Sequence, residues 1–321
     1  MEQQAERRGM CSLASIAAGE DPGGTAGAYG IYLLVETPFP WERDIVKSPH
    51  FPPALGEAVL AAGAGCRVLG IASARHASPQ GMRRMIVYRR PDGPFARFEQ
   101  EEYVVPHDRL AALAAAVLAQ PRPAEFAEYR VAGAGRNVFV CTHGRRDRCC
   151  GLHGYAVYEA LDRRCGEPSE SGIRVWRVSH IGGHRLAPTL IDFPSGRFWA
   201  HVRPERLEAV LEPEAHLSDL AAHYRGWGGL RPPEQLLERE AWLREGAGWA
   251  DYLKTGSSEP LPSGGVRATV EFRSADGSVS GVYEGIVRET APVAIIGCDY
   301  HEPEWVPQYR VEEIVRRPAA N

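Results

Sequence analysis

From Val138 to Gly154 the sequence reads VFVCTHGRRDRCCGLHG, and from Ser179 to Pro188 it reads SHIGGHRLAP. Thiols and imidazoles bind soft and borderline metals, so these two segments raise metal chemistry before any other. The first holds Cys141, Cys149, Cys150, His143 and His153; the second holds His180 and His184. Cys141 ends an apolar run, and Cys150 follows across a polar, basic stretch, immediately before Gly151. Such a loop lets several side chains and backbone N–H groups converge on one object. Imidazoles at i and i+4 would share a face of a helix. Here the adjacent Gly182 and Gly183 argue against a regular helix. They favour a loop whose bare backbone can approach a bulky ligand.

Three chemistries compete for these residues. Zinc accepts two Cys and two His, and the His spacing suits it. The cysteines do not, because zinc knuckles usually separate them by about 2–4 residues. A catalytic thiol is the second candidate, with Cys149 or Cys150 beside His143 or His153 and activated by Arg145, Arg146 and Arg148. No complete Cys-His-acid order accompanies it. Buried, inert cysteines fit poorly with so charged a loop. The residues alone favour a metal site of iron–sulfur type and leave zinc and thiol chemistry open.

The surrounding pattern indicates what positions them. Tyr29–Glu36, Arg67–Ala72, MRRMIVYRR and FARFEQEEYVV read as strands, with helices around Ala54–Ala62 and in HDRLAALAAAVLAQ. After the connecting stretch PRPAEFAEYRVAGAGR the order recurs. RNVFVC, GIRVWRVSH, PTLIDF and RFWAHV read as strands, and HGYAVYEALDRRC and RPERLEAVLE as helices. LLVET stands where VFVCT stands, and RVLGIA where RVWRVS stands, so two related βαβββα halves are expected. On that alignment Glu36 occupies the place of Cys141, and the first half should carry no cofactor. Beyond about Ala215 two helical segments, HLSDLAAHYRGW and PPEQLLEREAWLRE, precede a Gly/Ser-rich link, KTGSSEPLPSGG. Strands VRATVEFR, VSGVYEGIVRE and VAIIGCDY close the chain, and the aromatics of WVPQY are expected to pack on the core.

Composition narrows the class of protein. With 321 residues, 44% hydrophobic and 24% charged, the chain is long enough for two or three domains. A net charge of −4 gives no reason to expect nucleic acid or an anionic membrane as partner. The apolar run LAALAAAVLA is too short to span a bilayer, and MEQQAERRGM lacks a signal-peptide core. A cytoplasmic protein is expected. Seven cysteines, most of them scattered, argue for a metal or redox site over a disulfide framework.

CTHGRRDRCCG with SHIGGHRLAP resembles the ligand signature of the sucrase/ferredoxin-like family, which are thioredoxin-like ferredoxins. MCSLASIAAGEDPGGTAGAYGIYLLVETPFPW resembles the opening of bacterial members, and the likeness covers residues 10 to 211. The resemblance makes the two halves thioredoxin-like; with the pattern of elements, an α/β (α+β) fold is expected, with a thioredoxin-like domain without cofactor over 1–125, a thioredoxin-like ferredoxin domain over 126–214, and an α+β extension over 215–321. It also implies a [2Fe–2S] cluster held, by motif, through Cys141, Cys150, His180 and His184. The family's cysteine precedes a glycine, which selects Cys150 and leaves Cys149 as an extra thiol expected to tolerate serine. Cys11 and Ser12 recur in the family-like opening without an evident role. Replacing two thiolates by imidazoles raises a cluster's potential, from about −400 mV in plant-type ferredoxins to roughly −150 to +300 mV in Rieske centres. The expected function is single-electron, proton-coupled relay between a redox protein donor and acceptor, by a monomer or homodimer. No acid pair of the kind a glycosidase needs stands out, so sucrose hydrolysis is not expected.

Overall fold

The computed structural model describes residues 10–61, 63–133, 135–166, 172–296, 298 and 302–319. Most of the opening MEQQAERRGM and parts of VAGAGR and VAIIGCDY lie outside them. The chain is a mixed α/β protein with two sheets. In the larger, nine strands run in the order β4-β3-β1-β2-β6-β5-β7-β8-β9. They are β1 Ile31–Glu36, β2 Cys66–Ala72, β3 Met82–Arg89, β4 Glu99–Pro106, β5 Arg136–Cys141, β6 Ile173–Val178, β7 Leu190–Phe193, β8 Arg197–Trp199 and β9 Tyr224–Trp227. Helix α1 is Cys11–Ala18, α2 Pro53–Ala61, α3 Leu110–Ala119, α4 Tyr155–Cys165 and α5 Pro232–Glu245.

β1 pairs parallel with β2 and antiparallel with β3, and β5 pairs likewise with β6 and β7. The two sets of strands meet where β2 and β6 pair antiparallel through Ile71–Val178 and Ala72–Arg177. A strand flanked this way in mid-sheet, with both faces covered, needs apolar residues without alternation. Val138, Phe139 and Val140 supply them and are fully buried. In β1 successive residues serve two cores: Tyr32 and Leu34 face the one shared with β5, and Leu33 and Val35 the one under α2 and α3.

The C-terminal residues depart from the pattern expected of them. In HLSDLAAHYRGW, Tyr224–Trp227 form the edge strand β9, and Tyr224 and Trp227 are buried on β8. Residues of β-forming type gained a free sheet edge, and that contact outweighed the helical spacing. The presumed link is strand β10, Leu253–Pro260, fully paired with β11, Val266–Arg273. VSGVYEGIVRE and the start of VAIIGCDY form one long strand, β12 Ser280–Ile296. It pairs with β13, Pro303–Arg317, across a register shift between Thr290 and Val293. Trp305 and Tyr309 are 65% and 43% exposed, so the aromatics of WVPQY face solvent while Val306 and Gln308 point inward. α5 packs between the two sheets. Its Arg239 forms an ion pair with Asp21, and its Glu238 accepts from Tyr224 and Trp249.

Candidate metal centre

Cys141 is the last residue of β5, fully buried, its N–H bonded to Thr189 O. The chain then turns tightly: Arg146 and Asp147 both donate to His143 O. Asp147 Oδ1 accepts from the backbone N–H of Cys149 (2.9 Å) and Cys150 (3.2 Å), the N-cap arrangement that starts a helix. One wide, π-type turn, Cys150–Gly154, leads into α4. Glycines make this fold possible. A Cβ on Gly154 would lie 2.0 Å from Cys141 O, and one on Gly151 would lie 2.6 Å from Gly144 Cα. Adjacent residues at a helix start point about 100° apart. Cys149 and Cys150 therefore look in different directions.

Cys150 looks toward Cys141 and His180: one ligand atom from each of the three lies within 4.8 Å of the others. His180 follows β6, and its Nδ1 is buried without a hydrogen-bond partner among the described residues. An imidazole that reaches two thiols and keeps a buried ring nitrogen without a partner has lone-pair capacity left for a metal. The backbone is fixed on both sides: His180 N–H donates to His143 Nδ1 (3.2 Å), and His180 O accepts from Arg67 (2.7 Å). His143 must then carry its proton on Nε2, donated to Glu42 O at 2.8 Å. Burial keeps this ring neutral by lowering its pKa.

His184 sits across the loop, its ring 6.4 Å from that of His180 and tilted by 30°. The loop is not helical. Gly182 and Gly183 take φ of 87° and 69°, which other residues resist, and a short 3-10 turn, His184–Leu186, follows. Both imidazoles are half-buried. Leu186 O accepts from His201 N. His201 Nε2 meets Ser15 Oγ at 3.1 Å, Ser15 donates to Glu20, and Glu20 pairs with Arg185 at 2.6 Å. α1 and Glu20 thus brace the turn that carries His184.

The thiols share protons. A hydrogen bond from Cys150 holds the Cys141 pKa well down, while Cys150 is pushed up by the same bond and by burial. Of the basic residues, Arg145, Arg146 and Arg148 are exposed, and Arg145 pairs with Glu42 at 3.0 Å. Solvent and salt weaken their field. Arg225 on β9, unremarked in the sequence, is 2% exposed and sits beneath the loop. It donates to Gly182 O (3.2 Å), Thr25 O (2.6 Å) and Thr25 Oγ1 (3.0 Å), and a Cβ on Gly183 would lie 2.9 Å from its Nη2. Burial and the neighbouring Arg185 lower its pKa to about 10 against the opposing pull of Cys141 and Cys150. It stays charged beside them. No sequence pattern marks it, because β9 reaches the site only through tertiary structure.

Cys149 looks away from this group. Its sulfur is 3.6 Å from that of Cys11 and 3.4 Å from that of Cys298, and those two are 3.3 Å apart. The histidines suggested as thiol partners are engaged otherwise: His143 as above, and His153 with Met10 Sδ at 3.0 Å. Neither forms a dyad of nucleophile and base.

Among curated proteins, the chain is 25% identical over 152 residues to altered inheritance of mitochondria protein 32 from Meyerozyma guilliermondii, covering 42% of this chain and 53% of the relative. It is 31% identical over 101 residues to the protein of that name from Eremothecium gossypii, covering 28% and 31%. The chain thus spans about half or less of the length of these relatives. Among solved structures, the thioredoxin-like [2Fe–2S] ferredoxin from Aquifex aeolicus aligns with 25% of this chain and 79% of its own, at 18% identity and a TM-score of 0.22. A Cys-to-Ser variant of it gives 24%, 88%, 19% and 0.22. The sucrase/ferredoxin-like family model matches residues 22–226, which take in β1 to most of β9 and both segments of the site. The chain belongs to the sucrase/ferredoxin-like family.

Proposed function

We propose that the protein is an electron carrier that holds a [2Fe–2S] cluster through Cys141, Cys150, His180 and His184. The convergence of the two thiols and the His180 ring within 4.8 Å, with His180 Nδ1 left bare, carries this reading. The donor set fits the group: soft sulfur and imidazole nitrogen, on a loop whose glycines admit close approach. When bound, such a cluster accepts and releases one electron at a time.

The remaining chemistry belongs to the protein. Cys141, whose pKa the Cys150 hydrogen bond holds down, gives up its proton to a metal more readily than Cys150. If Nδ1 of His180 ligates, its ring proton sits on Nε2, where a half-buried ring can exchange it with water. A pH-dependent potential is the consequence. Arg225 holds a positive charge at the sulfurs and favours the reduced state. Arg145, Arg146 and Arg148 form a basic rim suited to an acidic redox partner, donor or acceptor. We further propose two thioredoxin-like units, 1–125 without a cofactor and 126–214 with one, and an extension over 215–321. Seven free cysteines suit a reducing compartment such as the cytoplasm. Among the described residues no helix is long and apolar enough to cross a membrane.

Anaerobic purification tests the proposal. The protein should be red-brown, bleach with dithionite, and give a reduced-state paramagnetic resonance whose g values report two irons with nitrogen ligation. His184→Cys should keep the colour and lower the midpoint. A second reading has one observation behind it: three donors within 4.8 Å would also suit a single zinc ion. Colourless, zinc-loaded material from iron-replete cells would establish that reading instead.

A further inference from the structure

We propose that Cys11, Cys149 and Cys298, with a carboxylate oxygen of Asp147, hold a single thiophilic divalent ion of the zinc class. This second site goes beyond the cluster and stands whatever occupies the first.

The three sulfurs form a nearly equilateral triangle with edges of 3.3, 3.4 and 3.6 Å. One oxidised pair with a bystander would make one edge much shorter than the others. A polynuclear cluster would spread its ligands over several metals. Three sulfurs mutually in contact can share only one ion. The triangle's centre lies about 2.0 Å from its corners, whereas zinc needs about 2.3 Å to each sulfur. The ion must therefore ride off the plane, which leaves a fourth, tetrahedral position. The Asp147 carboxylate lies within 4.8 Å of all three sulfurs, and only its Oδ1 is used in capping Cys149 and Cys150.

The surroundings suit anionic sulfur. α1 has no side-chain cap at its N terminus. Instead, Cys11 N–H donates to Cys298 Sγ at 3.3 Å, and the next residue, Ser12, carries a side-chain hydroxyl. That hydroxyl belongs to a residue 1% exposed and has no conventional partner among the described residues. The positive end of the helix thus offsets the charge of three thiolates. Binding releases the thiol protons to water, and no electron moves.

An ion here would tie together three distant segments: the start of α1, the loop that presents Cys150, and the turn after β12. Cys149 would then be a structural ligand next to a cluster ligand.

The full chain, purified anaerobically, is assayed for iron and zinc and then titrated with Zn2+ or Co2+. We expect one zinc per chain besides the iron, and a sulfur-to-cobalt charge-transfer band with tetrahedral ligand-field absorption when Co2+ replaces it. Cys149→Ser and Cys298→Ser should lose that ion and keep the cluster chromophore. Cys150→Ser should lose the chromophore and keep the ion, and Cys66→Ser should keep both. If Cys149→Ser fails to fold, the partly exposed Cys298 gives the same readout. Wild-type protein that takes up no ion beyond the first site, or Cys298→Ser that binds as wild type does, would overturn the proposal. A chain with two of these cysteines joined as a disulfide would do so too. If zinc occupied the first site as well, Cys150→Ser and Cys298→Ser would each lose one equivalent, so failure of the cluster reading stays distinguishable.

Discussion

The ends of β1 and β5 occupy the same place in the sheet and solve the same problem with different chemistry. Glu36 stands opposite Ile71 on β2, and Cys141 opposite Val178 on β6. Each is followed by a threonine whose N–H bonds to that partner's carbonyl, Thr37 to Ile71 and Thr142 to Val178. In the first half, the Glu36 carboxylate closes the gap to the loop after β2. It accepts from Ser78 N (2.9 Å), Ser78 Oγ (2.5 Å) and Arg84 N (3.0 Å). In the second half, the corresponding loop presents His180 to Cys141, and His180 Nδ1 finds no partner among the described residues. One strand end satisfies its neighbours through hydrogen bonds; the other leaves donor atoms bare. The lesson is physical: a candidate metal site is recognised by what the fold leaves unsatisfied.

Exchanging the two residues gives the largest expected effect. Cys141→Glu should abolish iron binding, read as loss of visible absorption and of iron per chain. Glu36→Cys should gain no metal, since Ser78 and Arg84 offer nothing that ligates one. It should instead lower stability by about 2–3 kcal/mol in chemical denaturation, because two backbone N–H groups and a hydroxyl lose their acceptor. Metal uptake by Glu36→Cys would mean that the strand ends differ by a single residue, against the contrast drawn here.

Much of this contrast was legible before any coordinates. The alignment of LLVET with VFVCT placed Glu36 against Cys141, and the register places them identically. Gly182 and Gly183 announced a loop, and both take left-handed conformations. Local patterns failed where long-range pairing decides. YRGW became an edge strand because β8 offered it one, and a Gly/Ser-rich stretch became β10 because β11 supplied its partner. Cys11, Cys149 and Cys298 come together across most of the chain, a distance over which spacing rules carry no information. Arg225 was missed for the same reason. Its burial and its nearness to two thiols exist only in the folded protein.

A second difference lies in bracing. The first-half loop is held by Glu36 from its own strand, whereas the His184 turn is held from outside through His201, Ser15 and Glu20. Since Ser15 donates to Glu20, His201 must donate its Nε2 proton to Ser15. Burial, with nearby cations adding to it, depresses the His201 pKa to about 4 from an ordinary 6.5. Above pH 6.5 neither the folded nor the unfolded chain charges this ring. Between 6.5 and 4 the unfolded chain binds a proton that the folded chain refuses, so stability falls as pH falls. The loss from this group should approach 3 kcal/mol, an order-of-magnitude figure from roughly 1.4 kcal/mol per pH unit. His201→Asn suits the left-handed backbone there, φ 52°. Its denaturation midpoint should vary less between pH 7 and 4.5 than that of the wild type. Equal slopes would show that the brace is indifferent to protonation.

The smallest expected effect separates buried charge from exposed charge at the second strand end. Arg225 is held by the oxygens of Thr25 and Gly182, while Arg145 lies in solvent against Glu42. A fixed positive charge in a low-dielectric setting stabilises an added electron far more than one screened by water and salt. Arg225→Gln keeps polar donors under the loop and removes the charge. It should lower the midpoint potential by tens of millivolts, on the order of 1 kcal/mol, and Arg225→Lys should restore most of the shift. Arg145→Gln should change the midpoint little at physiological salt, yet slow electron exchange with an acidic partner as ionic strength falls. If the two arginines shifted the potential equally, burial would not be what distinguishes them, and the field at the thiols would come from the rim.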